Sequence, residues 1–496
     1  MSLDGPRTGV DCFGHMGALL LSVVGATVVL IVAIVVGRRY ANRSAKRALL
    51  RHRARVDRFK LANRAHIRAQ LVSDPDIAEA IRAHARETGL SEAEALKRVH
   101  EYVTEIIPFF NVIAYFQIGY RVSRAVLNLF YKVTVEFEDR TAVQRLPKDA
   151  VLVYLMNHRS NADYVLVGYA LSGQVAISYA VGEWARAFPL EHLFKAFGAY
   201  FVRRRYREHL YHTVLEKYVQ LITRQGVTQG IFLEGGLTRD GKLRPPKIGL
   251  FDYVLGIARD PKYRAQLYIV PVAVNYDRVL EDRSLLLELA KSEGRARPSR
   301  LSQMGHVGHF IIWNVGRLLS RRWKRYGRAA VVVGKPVPLD QWFDRESDLF
   351  TLPRPERLAK VQRLSDEVME RIGRLIPVTS VALTCAAIQS LESDFITRAT
   401  LLGRMHEMRE ALVELNGRVV RADRDIAETF ERAWLMLRMR RVLVASGQGY
   451  AVLPRGRPLV SYYANSIVHL LGPFESAVKA RDSLPVARLS GEGALP

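Results

Sequence analysis

Cysteine is scarce in this sequence, which has two cysteines, Cys12 and Cys385, among 496 residues. Two cysteines cannot form the framework of a disulfide-rich secreted domain, and no Cys-x-x-Cys pair or Cys/His cluster of the kind that holds zinc occurs. Internal repeats and low-complexity segments are also missing, which argues against a repeat architecture. We therefore expect a globular protein of two or three domains in a reducing compartment, with no metal site.

Acidic residues are few relative to basic ones, with 49 Asp and Glu against 74 Lys and Arg. The resulting net charge of +25 indicates an anionic partner: nucleic acid, an anionic membrane or a phosphorylated substrate. No recognisable nucleic-acid-binding module is present, so we expect no nucleic-acid partner.

Charged side chains are absent from residues 16–37, a mostly apolar run long enough to cross a hydrocarbon layer of about 30 Å as a helix. The run lacks the basic leader and small-residue cleavage site of a signal peptide, which favours an uncleaved anchor. The basic segment 38–60 follows it and predicts that the rest of the chain is cytoplasmic, attached to the cell (inner) membrane by one N-terminal span. This segment is suited to anionic lipid headgroups, although a solvated helix or a nucleic-acid arm would have the same composition.

The residues between this segment and the first strand have helical patterns. Asp74 before Pro75 predicts a helix start, Gly89 a helix stop, and Ser91 with Glu94 a capping box that opens a second helix. The aromatic stretch 106–131 fits either an interfacial helix or a core helix.

Strand and helix patterns then alternate, with strands expected at 133–139, 151–156, 175–182, 199–204, 230–236, 267–276 and 329–339. Such alternation predicts an α/β domain whose sheet is partly parallel and flanked by helices. Heptad-like apolar positions predict C-terminal helices at 359–376, 395–415 and 423–445. The predicted organisation is a short tail at 1–15, a transmembrane helix at 16–37, a basic juxtamembrane and helical region at 38–131, an α/β catalytic domain at 132–345, a helical domain at 346–472 and a loose tail at 473–496.

The turn after the strand at 151–156 carries His158 and Asp163. A strand-to-helix turn can fold the carboxylate under the imidazole, which would fix one ring nitrogen as a donor and leave the other as a base. The alternative to a catalytic pair is a structural turn in which Asp163 caps the following helix. His52 and Asp57 have the same spacing, but they lie in a segment of helical composition, where positions five apart point about 140° away from each other.

The loop after the strand at 230–236 resembles the start of a phosphate-binding P-loop at 236–242. Leu243 replaces the hydroxyl residue that would hold Mg²⁺, and Pro245 and Pro246 prevent the helix that must follow. An NTPase is therefore excluded, but the loop remains suited to anions because it combines glycines with four basic side chains, Arg239, Lys242, Arg244 and Lys247.

The carboxyl ends of the predicted parallel strands bring together one set of polar residues. Ligands of such sheets bind at this edge, where we place His158, Arg203, Arg204, Glu234 and Asn275. A surface charge run is the usual explanation of basic clusters, but here successive strands all end in such groups.

Five segments together carry a family resemblance: NHRSNADY (157–164), GAYFVRR (198–204), FLEGGLTRDGK (232–242), IVPVAVNY (269–276) and SYYANSIVHLL (461–471). In order and spacing they resemble the bacterial membrane-bound glycerol-3-phosphate 1-O-acyltransferases of the phospholipid/glycerol acyltransferase superfamily. The resemblance covers roughly residues 74–471 and implies the acyltransferase α/β fold of that family.

The resemblance also implies roles for residues of this chain. His158 would be the general base and Asp163 would orient it. The substrate-binding residues implied, together with the basic loop, are Arg203, Arg204, Glu234, Gly235, Arg239, Lys247 and Pro271, with the arginines at the phosphate and Pro271 on the acyl-thioester side. Two positions depart from the family pattern: Asn161 stands where a second histidine is common, and Leu237 where an arginine is usual.

The implied activity is acyl transfer from acyl-CoA or acyl carrier protein to the sn-1 hydroxyl of glycerol 3-phosphate, which gives lysophosphatidate for phospholipid synthesis. The thioester is a co-substrate and no cofactor is implied; anionic membrane lipids are the expected surface partner. Alternatives are acylation of dihydroxyacetone phosphate or lysophosphatidate and, in another class, a basic membrane-tethered binding protein without catalysis.

Overall fold

The structure is a computed structural model that describes residues 64–108, 120–172, 175–182, 194–195, 198–203, 206–292, 325–391 and 393–482. The predicted transmembrane helix at 16–37, the basic segment 38–60 and Arg204 lie outside these residues. Among the helices of the described ranges, none combines the length and apolar character needed to span a bilayer.

Four helices precede the sheet: α1 (Arg64–Val72), α2 (Pro75–Thr88), α3 (Glu92–Ile106) and α4 (Tyr120–Phe130). The predicted caps are present. The Asp74 side chain accepts a hydrogen bond from the amide of Asp76, Gly89 ends α2 in the left-handed conformation at φ 73°, and Ser91 and Glu94 form a reciprocal capping box. Local sequence therefore decides where these two helices begin and end.

The central sheet confirms the predicted mixed α/β fold. Its strands are β1 (Lys132–Phe137), β2 (Val151–Met156), β3 (Ser178–Gly182), β4 (Tyr200–Val202), β5 (Gln229–Phe232), β6 (Leu267–Tyr276) and β7 (Arg328–Val333). They lie in the order β1-β7-β6-β2-β5-β3-β4, and β6 to β4 are mutually parallel, whereas β7 and β1 run the opposite way. Strand β2 is buried along its whole length, as its unbroken apolar sequence requires.

Helices α5 (Asp163–Leu171), α6 (His209–Arg224), α7 (Gly249–Leu255) and α8 (Asp282–Ser292) follow strands of this sheet. The segment 183–197, between β3 and β4, for which its sequence predicts a helix, falls mostly outside the described residues. Because the connections leave the carboxyl ends of β2, β5 and β6, their first residues gather at one edge.

The chain continues through β8 (Val337–Pro338), α9 (Asp340–Arg345), α10 (Arg354–Arg374), α11 (Ser380–Ser390), β9 (Phe395–Thr397), α12 (Arg398–Glu414), α13 (Ile426–Met439), β10 (Leu443–Ser446), β11 (Gly449–Val452), α14 (Arg457–Asn465) and α15 (Glu475–Asp482). The three predicted C-terminal helices are present as α10, α12 and α13. Helix α11 was not predicted; it is buried from Ser380 to Gln389. Helix α15 lies in the segment expected to be a loose tail, and it is ordered because Val478 is buried against the rest of the chain.

One hydrophobic core runs from Ile67 to Val478 and includes residues of the sheet and of the C-terminal helices. The C-terminal helices therefore pack against the sheet without an intervening polar layer, and the domain boundary at 345 stays a prediction. Pro271 lies in β6 opposite Leu155 of β2, at the point where the other neighbour of β6 changes from β8 to β7. Between the residues of β6 that pair with β8 and those that pair with β7, a proline, which has no backbone N–H, is tolerated.

Candidate active site

The turn that follows β2 brings His158 and Asp163 together. Asn157, directly after the strand, is tied to β6 by two hydrogen bonds, from its Nδ2 to the Val274 carbonyl (3.0 Å) and from the Val274 amide to its Oδ1 (2.8 Å). The next residue, His158, places Nδ1 2.9 Å from Oδ2 of Asp163, and both side chains are buried. The predicted pair is therefore formed, at the predicted edge of the sheet.

The carboxylate of Asp163 is held on both oxygens. Oδ2 also accepts the backbone amides of Arg159 (2.7 Å) and Ser160 (3.1 Å), and Oδ1 accepts the hydroxyl of Tyr276 (2.5 Å). A carboxylate oxygen accepts hydrogen bonds, as the two amides and the tyrosine hydroxyl show here. We therefore assign the ring of His158 as a donor to Asp163 through Nδ1–H. The lone pair of the imidazole is then on Nε2, the nitrogen that can take a proton from a substrate.

Aromatic side chains fix the plane of the imidazole. The ring of Phe232, at the end of β5, stacks on that of His158 with centroids 4.0 Å apart and planes 23° from parallel. Tyr164 approaches the same ring edge-on, with centroids 5.6 Å apart. The imidazole of His158 is thus oriented by packing as well as by Asp163.

Glu234 connects the loop after β5 to the histidine turn. Its Oε1 accepts the backbone amide of His158 (2.8 Å) and its Oε2 accepts that of Arg244 (3.1 Å). Burial raises the pKa of Glu234 to about 7, against the opposing effect of the positive charge of Arg159. Both oxygens are used by backbone groups, so the side chain holds the two loops in place.

Gly235 and Lys247 lie against each other in this loop. Gly235 has φ 63°, and a Cβ at this position would lie 2.7 Å from Cδ of Lys247. The backbone amide of Lys247 donates to the Leu233 carbonyl (2.7 Å), which anchors the residue while its side chain is exposed. Within the described residues, the Lys247 ammonium has no carboxylate within ion-pair distance.

The other predicted basic residues have partners. Arg203, just after β4, binds the carboxylate of Glu105 through Nε (2.9 Å) and Nη2 (2.5 Å). Its guanidinium also lies 4.9 to 5.8 Å from the ring centroids of three tyrosines, Tyr102, Tyr206 and Tyr211. Strand β4 is three strands from β2, which is about 14 Å at the usual strand spacing. Arg203 is therefore not brought into contact with His158.

Arg239 lies in the same loop as Lys247 but is already engaged. Its Nε is 3.2 Å from Oε2 of Glu288 on α8, with about half of each side chain exposed. An exposed pair of this kind is weak, so the arginine is available to a competing anion.

Arg159 is a residue of the site that the sequence did not single out. It is 1% exposed, although it follows the histidine directly. Its guanidinium donates to the carbonyls of Gly241, in the loop after β5, and of Ser466 (3.3 Å), at the end of α14. The hydroxyl of Ser466 in turn accepts from Nδ2 of Asn275 (3.2 Å), the second to last residue of β6. A buried arginine thus ties the histidine turn to the C-terminal segment, a contact between residues 307 positions apart.

The site has the parts of a general-base centre. An oriented imidazole lies at the carboxyl edge of the sheet, next to a glycine loop with one exposed lysine and one weakly paired arginine. This arrangement can remove a proton from a hydroxyl group and hold an anionic group beside it.

Comparisons with known proteins agree with this chemistry. Residues 135–275 match the family described as Acyltransferase, and residues 312–474 match the Glycerol-3-phosphate acyltransferase C-terminal region. The chain is 27% identical over 423 residues to a glycerol-3-phosphate acyltransferase of Aeromonas hydrophila, a match that spans 83% of this chain and 50% of that protein. The corresponding enzyme of Actinobacillus succinogenes is 27% identical over 445 residues, or 86% and 52% of the two chains.

The chain thus spans about half the length of the curated relatives it matches. Among solved structures, the 1-acyl-sn-glycerophosphate acyltransferase of Thermotoga maritima aligns with 52% of this chain and 78% of its own, at a TM-score of 0.30 and 16% identity.

Proposed function

We propose that this chain, which belongs to the bacterial glycerol-3-phosphate acyltransferase family, transfers an acyl group from acyl-CoA or acyl carrier protein to the sn-1 hydroxyl of glycerol 3-phosphate. The product is lysophosphatidate. The observation that carries the proposal is the buried His158–Asp163 pair at 2.9 Å, whose carboxylate is held by three further donors at the carboxyl edge of the sheet.

In the proposed reaction, Nε2 of His158 takes the proton of the acceptor hydroxyl as its oxygen attacks the carbonyl carbon of the thioester. A C–O bond forms, the C–S bond breaks, and the thiolate leaves with the electron pair of that bond. The proton on His158 then passes to the thiolate, which restores the base. Asp163 stabilises the imidazolium while it exists and keeps its plane fixed. Because a thiolate is a good leaving group, a positioned base near neutrality is sufficient for this chemistry.

The phosphate of the acceptor is proposed to bind at the loop after β5. Lys247 has an exposed ammonium, and Arg239 can exchange its exposed partner Glu288 for a phosphate oxygen. The side chain of Glu234 fixes this loop to the histidine turn by accepting the His158 amide. Gly235, which has no Cβ, leaves room for the side chain of Lys247. Arg204, with Arg203 beside it, remains a proposed second phosphate ligand, and Pro271 a proposed residue of the acyl-thioester side.

The chain is further proposed to be anchored in the cell (inner) membrane by residues 16–37, with the catalytic region on the cytoplasmic side. The proposal rests on the uncharged run and on the excess of Lys and Arg that follows it. The basic segment 38–60 would then contact anionic lipids, which are expected partners of this chain.

Acyl transfer from palmitoyl-CoA to radiolabelled glycerol 3-phosphate, measured in membranes that contain the protein, tests the proposal. We expect product with the wild type and a loss of at least about 100-fold in His158→Ala, which is the low end of the contribution of a general base. His66→Ala, which removes an exposed histidine on α1, is the matched control and should retain full activity.

Two other acceptors complete the experiment, because Leu237 departs from the family pattern. Product with dihydroxyacetone phosphate or lysophosphatidate but none with glycerol 3-phosphate would keep the chemistry and change the acceptor. If no thioester is consumed with any acceptor by protein that is expressed and folded, the chain is a binding protein and the proposed function is wrong.

A further inference from the structure

A group of basic side chains lies at the amino ends of β1 and β7, away from the groups used in the proposed reaction. Its members are Lys132, Arg328, Arg421, Arg424 and Arg432, here called the basic cluster. Strands β7 and β1 run opposite to the others, so their first residues come to the same edge of the sheet at which β2 and β6 end. The basic cluster therefore borders the catalytic edge, two to three strands from His158.

Two of these cations face each other across neighbouring strands. Lys132 is the register partner of Arg328 in the β1–β7 pair, so both side chains point to the same face of the sheet. Like charges directly opposite are destabilising in a sheet. Consistent with this closeness, Arg328 lowers the pKa of Lys132, and Arg424, Arg432 and Arg421 act in the same direction.

Arg328 has hydrogen-bonding capacity that the described residues leave unused. The residue is 6% exposed, and its Nη1 donates to Oγ1 of Thr134 (3.0 Å). Its buried Nη2 has no hydrogen-bond partner among the described residues. The buried Nη1 of Arg424 likewise has no hydrogen bond among the described residues, although it forms an ion pair with Oε1 of Glu428 at 3.5 Å. Both atoms are therefore donors that an acceptor group of a ligand could satisfy, and they lie within a cluster of five cations.

The carboxylates near the basic cluster do not balance it. Glu428 accepts from Arg432 (2.8 Å) and Asp423 binds Arg421 through two hydrogen bonds. Asp277 is buried beside Arg328, but its Oδ2 is taken by the Arg328 backbone amide and its Oδ1 by that of Val381. Among the described residues, the side chains of these five cations pair with two carboxylates, Asp423 and Glu428. The two nitrogens without a hydrogen bond belong to Arg328 and Arg424, the two most buried of the five.

The members of the basic cluster differ in backbone conformation and in exposure. Arg421 has φ 62°, in the left-handed region that non-glycine residues rarely adopt. Lys132, Arg421 and Arg432 are exposed at the rim, whereas Arg328 and Arg424 form the floor. Three exposed cations thus accompany two more buried guanidinium groups that have unused donors.

We propose that the basic cluster is a second anion site, which binds a phosphate monoester or diphosphate group. Phosphate oxygens provide the several acceptors and the two negative charges that the unpaired guanidinium nitrogens and the excess of cations require. The group could belong to the nucleotide end of a CoA thioester or to a lipid. The site does not depend on acyl transfer, so it is tested by binding alone.

Thermal unfolding of the full-length protein in detergent, with inorganic pyrophosphate added at constant ionic strength, provides the test. We expect the melting temperature of the wild type to rise with pyrophosphate, and the apparent affinity to fall by about tenfold in Lys132→Gln and in Arg432→Gln, which each lose one charge-assisted contact. Both side chains are exposed, so these variants should fold. Arg328→Gln should lose the part of the response that depends on the basic cluster.

Arg374→Gln is the matched control, because it removes the same charge from an exposed side chain on α10 that pairs with Glu370 within its own helix. Any pyrophosphate bound at the acceptor site contributes equally in all these proteins. An equal response of Lys132→Gln, Arg432→Gln and Arg374→Gln would overturn the proposal, and so would an equal effect of chloride, which would indicate screening of net charge alone.

The source of the phosphate is then separated by competition. Displacement of pyrophosphate by CoA but not by dephospho-CoA identifies the 3′-phosphate of the donor as the ligand group. Cluster-dependent binding to phosphatidylcholine vesicles that contain phosphatidate, and not to vesicles without it, identifies a lipid phosphate. A response confined to pyrophosphate identifies a free phosphate, and each of these results supports the site.

Discussion

Replacement of Tyr276 by phenylalanine tests how far the base depends on contacts to its orienting carboxylate. Tyr276 is the last residue of β6, and its hydroxyl lies 2.5 Å from Oδ1 of Asp163. Burial and the neighbouring Asp163 raise the pKa of Tyr276 well above its usual value, so the hydroxyl keeps its proton and donates. The substitution removes one oxygen and leaves the ring packing intact.

The expected magnitude follows from the burial of both groups. A hydrogen bond to a charged group contributes about 1.5 to 3 kcal/mol, and Asp163 is fully buried, so no water replaces the lost donor. We expect the free energy of unfolding to fall by this amount. A carboxylate with one donor fewer holds the proton on the imidazole more strongly. The acid limb of the pH profile of kcat/KM should therefore move to higher pH, by about half a unit to one unit if half of the lost interaction is expressed there.

The assay is acyl transfer across the neutral pH range, together with urea denaturation. Tyr131→Phe is the control: Tyr131 is equally buried, its ring lies 5.4 Å from that of Tyr276, and its hydroxyl donates to the Arg278 carbonyl (2.8 Å) instead of to Asp163. It should lose about 1 kcal/mol of stability without a shift of the pH profile. Identical pH profiles in the two variants would refute the reasoning, because Tyr276 would then be a packing residue only.

Three further predictions concern the loops around the base. Arg159→Met should lower the free energy of unfolding by about 2 to 4 kcal/mol in urea denaturation, because two buried carbonyls lose their donor; an unchanged midpoint would contradict the role assigned to Arg159. Glu234→Gln should change the pH dependence of stability. The pKa of Glu234 is about 7 in the folded chain and 4.5 in the unfolded chain, so the folded chain binds this proton more tightly. The stability that this proton contributes is present below pH 4.5 and is lost as the pH rises through 7. The difference in unfolding free energy between wild type and Glu234→Gln should thus change by about 3 kcal/mol across that window, and a constant difference would show that the group titrates normally. Lys247→Gln should raise the KM for glycerol 3-phosphate about tenfold with little effect on kcat, as loss of one charge-assisted contact predicts, and Gly235→Ala should have the same signature because its Cβ displaces the Lys247 stem; normal steady-state kinetics of both variants would remove Lys247 from the acceptor site.

Features set by neighbours in sequence were predictable. The caps at Asp74, Gly89 and Ser91 were identified from residues within four positions of each helix end, and the run 267–276 coincides with β6 because ten consecutive residues carry one pattern. Helix α11 was not predicted because it is apolar on every side, and a helix without a polar face has no periodic stripe to detect.

Within the site, the His158–Asp163 pair was predictable because five positions separate its members. The contacts that support it join residues distant in sequence: Tyr276 reaches Asp163 across 113 positions, and Arg203 reaches Glu105 across 98. A run of three arginines at 203–205 predicts an anion site, and nothing in that run indicates that the first arginine is neutralised by a helix of the N-terminal region. Partners of this kind are a property of the fold and are invisible to local patterns.

The contact between Arg159 and Ser466 has a consequence for how the protein is made. Synthesis proceeds from the N-terminus, so the catalytic turn leaves the ribosome long before α14 has been translated. Until Ser466 has been synthesised, the guanidinium of Arg159 lacks one of its two carbonyl acceptors, and the histidine turn lacks its anchor to the C-terminal helices. A nascent chain therefore carries His158 and Asp163 before it carries the segment that anchors their turn, and the anchored turn can form only after α14 has been translated.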